Sequence, residues 1–264
     1  MRVLVTGGAS GLGEALVRRF VARGDQVLVG DLVGDLVDPE PAAEQSPVVL
    51  TRRRLDVREQ SDWDDARDWV QQHWGGLDVL VNNAGIATGG RIDVATLEEW
   101  QRVLDVNLLG VVRGCRTFTP MFKAQRKGHI VNVASLAGLV HGPGMASYNA
   151  AKAGVVALSE TLDYELAPWG VTTSVVCPAF FRTNLAGSLA GEDTAMLAVA
   201  GRLIGKAETD ADAIARIVMS GIDARRRLIL TDRLGRRSFW TKRLARPLYD
   251  RTFRDGAARL ARRD

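Results

Sequence analysis

Apolar positions along this chain follow two alternating rhythms. Short strand-like segments, most of them nearly continuous apolar runs, fall at about 2–6, 26–30, 52–55, 78–81, 129–134, 172–177 and 227–230. Between them, apolar residues recur every three or four positions at about 11–23, 61–74, 96–126, 146–167 and 209–222. The continuous runs predict parallel strands covered on both faces, and the longer period predicts amphipathic helices. Strand and helix repeated in this way predict an α/β chain with one doubly wound parallel sheet of about seven strands and helices on both faces.

The link after the second predicted strand breaks the rhythm. Residues 31–47 read D-L-V-G-D-L-V-D-P-E-P-A-A-E-Q-S-P. Proline lacks a donor and clashes inside a helix, so a loop or a single short turn is expected there.

A length of 264 residues with 46% apolar content is enough for one substantial core. Cys115 and Cys177 are far apart and belong to no Cys/His cluster. Neither a disulfide framework nor a metal site is expected, and a reduced, cytoplasmic protein fits best. No signal sequence or apolar run of membrane-spanning length is visible. His73 and His129 look structural, and His141 reads as an exposed loop residue.

Charge divides the chain unevenly. From residue 225 onward, 14 Lys and Arg face 4 Asp and Glu, a local excess of +10 within an overall charge of +4. Residues 1–230 are therefore expected to form the sheet domain, and 231–264 a basic amphipathic helical extension. In that tail Trp240, Leu244 and Leu248 form one apolar stripe, and Tyr249, Phe253 and Leu260 a second. Such helices can lie on an anionic membrane as a peripheral contact. They can equally pack on a neighbouring subunit or cap a pocket, which is the favoured reading. No nucleic-acid-binding module is recognisable.

Two stretches carry candidate chemistry. Thr6-Gly7-Gly8-Ala9-Ser10-Gly11-Leu12-Gly13 follows the first strand and opens the first helix. Glycines there permit a tight turn and close backbone approach to a pyrophosphate, while the helix N-terminus offers free N–H groups. On these residues alone a plain structural turn remains an alternative. Asp31 closes the second strand, where a carboxylate can accept from ribose hydroxyls and repel a 2′-phosphate, so NAD is favoured over NADP.

The second stretch runs from Ser135 through Tyr148 to Lys152. Tyr148 and Lys152 are four residues apart on a helical pattern and project from nearly the same face. An ammonium about 5 Å from the phenol, at an effective dielectric near 20, favours the phenolate by about 3 kcal/mol, or about two pKa units. That predicts a Tyr148 hydroxyl able to exchange a proton with an alcohol or carbonyl near neutral pH. Ser135 can hydrogen-bond the same oxygen or simply satisfy its own loop.

Together T-G-x-x-x-G-x-G at 6–13, N-N-A-G at 82–85, Asn107 in V-N-L-L-G, Ser135 and Tyr148-x-x-x-Lys152 resemble the classical short-chain dehydrogenase/reductase (SDR) family over about residues 1–230. The resemblance implies a Rossmann fold and an NAD-dependent oxidoreductase interconverting a secondary alcohol and a ketone. It implies Tyr148 as general acid/base, Lys152 as its partner and a holder of the nicotinamide ribose, Ser135 positioning the substrate oxygen, and Asn107 supporting a water-linked proton path. Gly7, Ser10, Gly11, Leu12, Gly13, Asp31, Asp56, Val57, Asn83, Ala84 and Gly85 would contact the cofactor, as would Tyr148, Lys152, Phe181 and Thr183. Ala179 stands where the family has glycine, which would strain a positive-φ site. A homo-oligomer, dimer or tetramer, is expected. The segments after Ser135 and Thr183 supply Leu139, Val140, Phe180, Phe181, Leu185 and Met196, so a hydrophobic substrate is expected. The alternatives are a nucleotide-binding sensor or scaffold with little turnover, or an epimerase or dehydratase of the extended relatives.

Overall fold

The continuous apolar runs pair edge to edge. In a computed structural model that describes residues 1–32, 50–182, 187, 189–207 and 209–261, the strands are β1 (Arg2–Thr6), β2 (Gln26–Asp31), β3 (Leu50–Arg54), β4 (Val79–Asn82), β5 (Gly128–Val133), β6 (Val171–Cys177) and β7 (Leu228–Leu230). All neighbours are parallel, in the order β3-β2-β1-β4-β5-β6-β7. The inner strands lack apolar/polar alternation because both faces are covered, whereas the edge strand β3 leaves Arg52 and Arg54 exposed. Val3 and Val5 of β1 join a cluster with Leu16, Phe20 and Ile214, while Leu4 between them joins Phe118, Phe122 and Ile130 on the other side. Helices α1 (Gly11–Ala22) and α7 (Ala211–Asp223) supply the first cluster; α2 (Gln60–Trp74), α4 (Gly110–Gln125) and α5 (Ala146–Leu166) supply the second.

Two stretches differ from the sequence expectation. The pattern at 96–126 is not one helix but α3 (Leu97–Leu104), a π-helical turn at Asp105–Leu109, and then α4. Within that wider turn lies Asn107, fully buried and tied to the loop after β4. Its Oδ1 accepts from the Ile86 N–H, and its Nδ2 donates to the Ile86 carbonyl, both at 2.9 Å. Helical bulges of this kind concentrate where a side chain must be aimed at a site. The second difference is α6 (Thr194–Gly205), a helix over a stretch expected only as pocket lining. Asp193 caps it, accepting from the Met196 N–H at 3.1 Å while bridging Arg91 at 2.8 Å. The proline-rich link lies, from residue 33 to 47, outside the described residues.

The basic tail forms α8 (Arg233–Leu244) and α9 (Arg246–Ala261). Phe239 and Tyr249 are buried in the same cluster as Leu139 and Val140, so both helices pack against the loop that follows Ser135. The sheet order reverses between β1 and β4. The crevice beyond the carboxyl ends of these strands is where an open α/β sheet places its site.

Candidate active site

A cavity of about 700 Å³ occupies that crevice. At one end it is lined by Gly7, Ser10, Gly11, Leu12 and Asp31, with Asp56 and Val57 beside them. Gly7 has φ +62°, and a Cβ there would stand 2.8 Å from the Ala84 Cα, so only glycine fits this turn without strain. Gly13 does not line the cavity; it brings α1 against the Gly7 carbonyl and the Asn83 amide, and so shapes the floor from behind. Asn83 is a strut as well as a wall, since its Nδ2 donates to the Thr6 and Gly7 carbonyls, each at 3.0 Å. The Asp31 carboxylate accepts from the Ala9 N–H at 2.9 Å and the Leu32 N–H at 2.7 Å, which fixes it at the cavity edge.

Two arginines near this end escaped the sequence reading. Arg54 lies opposite Asp31 in the β2–β3 register, and Arg58 lines the cavity. Each is engaged by a carboxylate: Arg54 with Asp62 at 2.8 Å, and Arg58 with Asp56 at 2.6 Å. The Arg58 hydrogen bond holds the Asp56 carboxyl below the usual carboxylate range despite burial. Asp56 was expected to contact the adenine; it lines the cavity, with both carboxylate oxygens committed to Arg58. Pairing across the β2–β3 edge is the missing signal, because it joins residues more than twenty positions apart.

At the other end stand Asn107, Ser135, Tyr148 and Lys152, all in the cavity wall. The loop from β5 to α5 folds back so that the Tyr148 phenol and the Ser135 hydroxyl share one stretch of the cavity wall. Ser135 Oγ accepts from the Ala137 N–H at 3.1 Å, so the hydroxyl satisfies its own loop. Lys152 is buried, donates to the Val133 carbonyl at 3.0 Å, and places its ammonium 5.9 Å from the Tyr148 ring centre. A Cβ on Gly85 would meet Asn107 Oδ1 at 2.8 Å and the Lys152 ammonium at 3.6 Å, so the bare backbone lets both converge there.

The electrostatics correct one expectation. Burial pushes the Tyr148 phenol above its ordinary value, with the Ser135 hydrogen bond as counterweight. The lowering expected from Lys152 is absent because burial also pulls the ammonium down, to about 8. Cys177, at the end of β6, is pushed up to about 12 by burial and stays a protonated thiol near that amine.

The remaining wall is mostly apolar, interrupted by Thr88, Arg102, Asp232 and Ser238. It includes Ile86, Val140, Met145, Phe180 and Phe181, with Ala200 and Ile204 from α6 and Leu234 and Phe253 from α8 and α9. Leu139 and Met196 are buried but do not line it, and Thr183 and Leu185 lie outside the described residues. Among the described residues, positive φ outside glycine occurs at Arg126 and Arg225, so Ala179 takes an ordinary backbone conformation and the expected strain is absent. His141 is exposed but held: its Nε2 donates to the Gly138 carbonyl at 3.2 Å, and its Nδ1 accepts from Lys242 at 3.0 Å. Sequence reasoning missed Lys242 and the Arg91–Asp193 bridge, although Asp193 before the apolar run T-A-M-L-A-V-A is a cap signal for α6.

Residues 1–193 match the family model described as short chain dehydrogenase. The chain is 38% identical over 184 residues to the 3-alpha-(or 20-beta)-hydroxysteroid dehydrogenase of Mycobacterium tuberculosis, covering 69% of each chain. Among solved structures it is similar to a short chain dehydrogenase/reductase from Burkholderia phymatum in complex with NAD (TM-score 0.85, 30% identity, 93% of this chain and 94% of that one). It is also similar to a short-chain dehydrogenase from Sphingobium yanoikuyae in complex with NADPH (TM-score 0.72, 28% identity, 87% of each chain).

Proposed function

The chain belongs to the short-chain dehydrogenase family of oxidoreductases, and from that premise we propose that it interconverts a secondary alcohol and a ketone on a hydrophobic substrate, with NAD as cofactor. The observation that carries this reading is the convergence of the Ser135 hydroxyl, the Tyr148 phenol and the Lys152 ammonium in the wall of one cavity.

The cavity fits a dinucleotide on its own features: a glycine turn that a Cβ would fill, and a carboxylate fixed at the ribose end. Asp31 favours unphosphorylated ribose hydroxyls. Arg54 and Arg58, which would otherwise attract a 2′-phosphate, are each neutralised by a carboxylate. Nicotinamide supplies or accepts the hydride. Ser135 Oγ holds the substrate oxygen, and Tyr148 Oη exchanges a proton with it. A phenol held above its ordinary value keeps its proton at neutral pH, which suits donation to a carbonyl. Lys152 and Asn107, meeting across Gly85, orient the ribose and carry the proton onward. The apolar wall from Val140, Phe180 and Phe253 supports a bulky ketone, in keeping with the name of the hydroxysteroid dehydrogenase relative.

The test is turnover of hydrophobic secondary alcohols and ketones, steroids included, with NAD and NADP compared by nicotinamide absorbance. Tyr148→Phe is expected to lower kcat by about a hundredfold or more while dinucleotide binding persists. A preference for NADP would overturn the Asp31 argument. Dinucleotide binding without turnover on any substrate would favour a sensor.

A further inference from the structure

Helix α8 presents different chemistry on its two sides. The inner side buries Gly235 and Phe239 and sends Lys242 to the Leu139 carbonyl at 2.6 Å. The helical repeat therefore turns Arg233, Arg237, Trp240 and Leu244 outward along one ridge. Trp240 is 53% and Leu244 80% exposed, and Leu248 at the start of α9 adds a third apolar residue at 61%. Arginines surround them: Arg233, Arg236, Arg237, Arg243, Arg246 and Arg251 are all exposed. An exposed Trp and two Leu set among cations match a surface that is apolar beneath and anionic above.

We infer that the outer face of α8 and the first turn of α9 dock on an anionic lipid bilayer, with Trp240, Leu244 and Leu248 entering the acyl boundary and the arginines meeting lipid phosphates. Charge complementarity selects this occupant. A second copy docked through the same face would set a stretch with an excess of +10 against itself, which opposes self-association. A nucleic acid would satisfy the arginines but offers nothing to Leu244 and Leu248. The contact is peripheral, because among the described residues no helix is long and apolar enough to cross a membrane. Leu234, 72% exposed, also lines the cavity, so the docked face borders its mouth. The inference stands on the outer side of α8 and holds or fails separately from the oxidoreductase reading.

The full chain would be sedimented with vesicles of phosphatidylcholine alone, and with about one-fifth phosphatidylglycerol, at about 0.1 M salt. Partitioning onto the anionic vesicles is expected to be at least about tenfold stronger, and to weaken in high salt. Arg233→Gln with Arg237→Gln, and separately Trp240→Ser with Leu244→Ser, should each reduce it by about tenfold. These four side chains are absent from the cavity wall, so melting should shift by no more than about 2 °C. Three results would each overturn the proposal: no binding to either vesicle, equal binding by parent and variants, or a dimer or RNA complex abolished by the same substitutions.

Discussion

Lys152→Met tests the electrostatics of the site without requiring a substrate. Lys152 is 4% exposed, and its ammonium has the Val133 carbonyl as acceptor at 3.0 Å. Burial moves its pKa from 10.5 to about 8. Near pH 7, below both values, the amine is charged in the folded and the unfolded chain. The folded state then carries the whole cost of the buried charge, about 3 kcal/mol at about 1.36 kcal/mol per pKa unit. Between about 8 and 10.5 the unfolded chain still holds a proton that the folded chain has released, so this group's contribution to stability improves as pH rises through that window. Methionine keeps an unbranched stem and removes the charge. The Val133 carbonyl left without its donor costs about 1–3 kcal/mol, but at every pH, so it cancels in a comparison across pH. Cys177, pushed up to about 12 by burial, keeps its proton across this window in the folded parent, and losing the nearby ammonium raises it further in the variant. Urea unfolding of both proteins at about pH 7 and about pH 10 should show the variant's relative stability falling by about 2.5 kcal/mol over that interval. The variant should also lose turnover. Parallel stability curves would refute the claim that a charged amine is being held in the interior near neutral pH.

Two further outcomes follow from single contacts. His129, whose Nε2 lies 2.7 Å from Ser174 Oγ, is driven from 6.5 to about 4, first by burial and then by Arg225. As pH falls through this window the unfolded chain gains a proton that the folded chain refuses. Unfolding free energy should therefore drop by about 2 kcal/mol between about pH 7 and pH 5, a slope that His129→Gln removes in acid-titrated denaturation. Lys242→Met releases the loop after Ser135 from α8 by deleting the bonds to the Leu139 carbonyl and His141. Steady-state kinetics should show KM rising about five- to tenfold with kcat within about twofold, and Lys242→Arg restoring part of the loss. A fall in kcat at constant KM would show instead that the contact acts on the chemical step.

The parts of this site legible in the sequence are those set by short spacing. A spacing of four positions from Tyr148 to Lys152 places both on one side of a helix, and a glycine run between strand and helix marks a tight turn open to close backbone approach. Continuous apolar runs announced strands buried on both faces, and β1, β2, β4, β5 and β6 are such strands. What spacing could not carry was solvent exposure. The Tyr148 phenol moves up rather than down because of burial in a cavity whose wall includes residues of α6, α8 and α9, elements tens of residues away. The π-helical turn was hidden as well, since the Asn107 side chain it carries is held by the backbone of Ile86, twenty-one residues earlier. Tertiary structure also divided the tail: one stripe, through Tyr249 and Phe253, faces the core and cavity, while the other, through Trp240 and Leu244, faces out. Sequence determined which groups share a turn of chain, because that is local geometry. The fold decided which of them meet water, because desolvation and ion pairing sum over every element brought alongside.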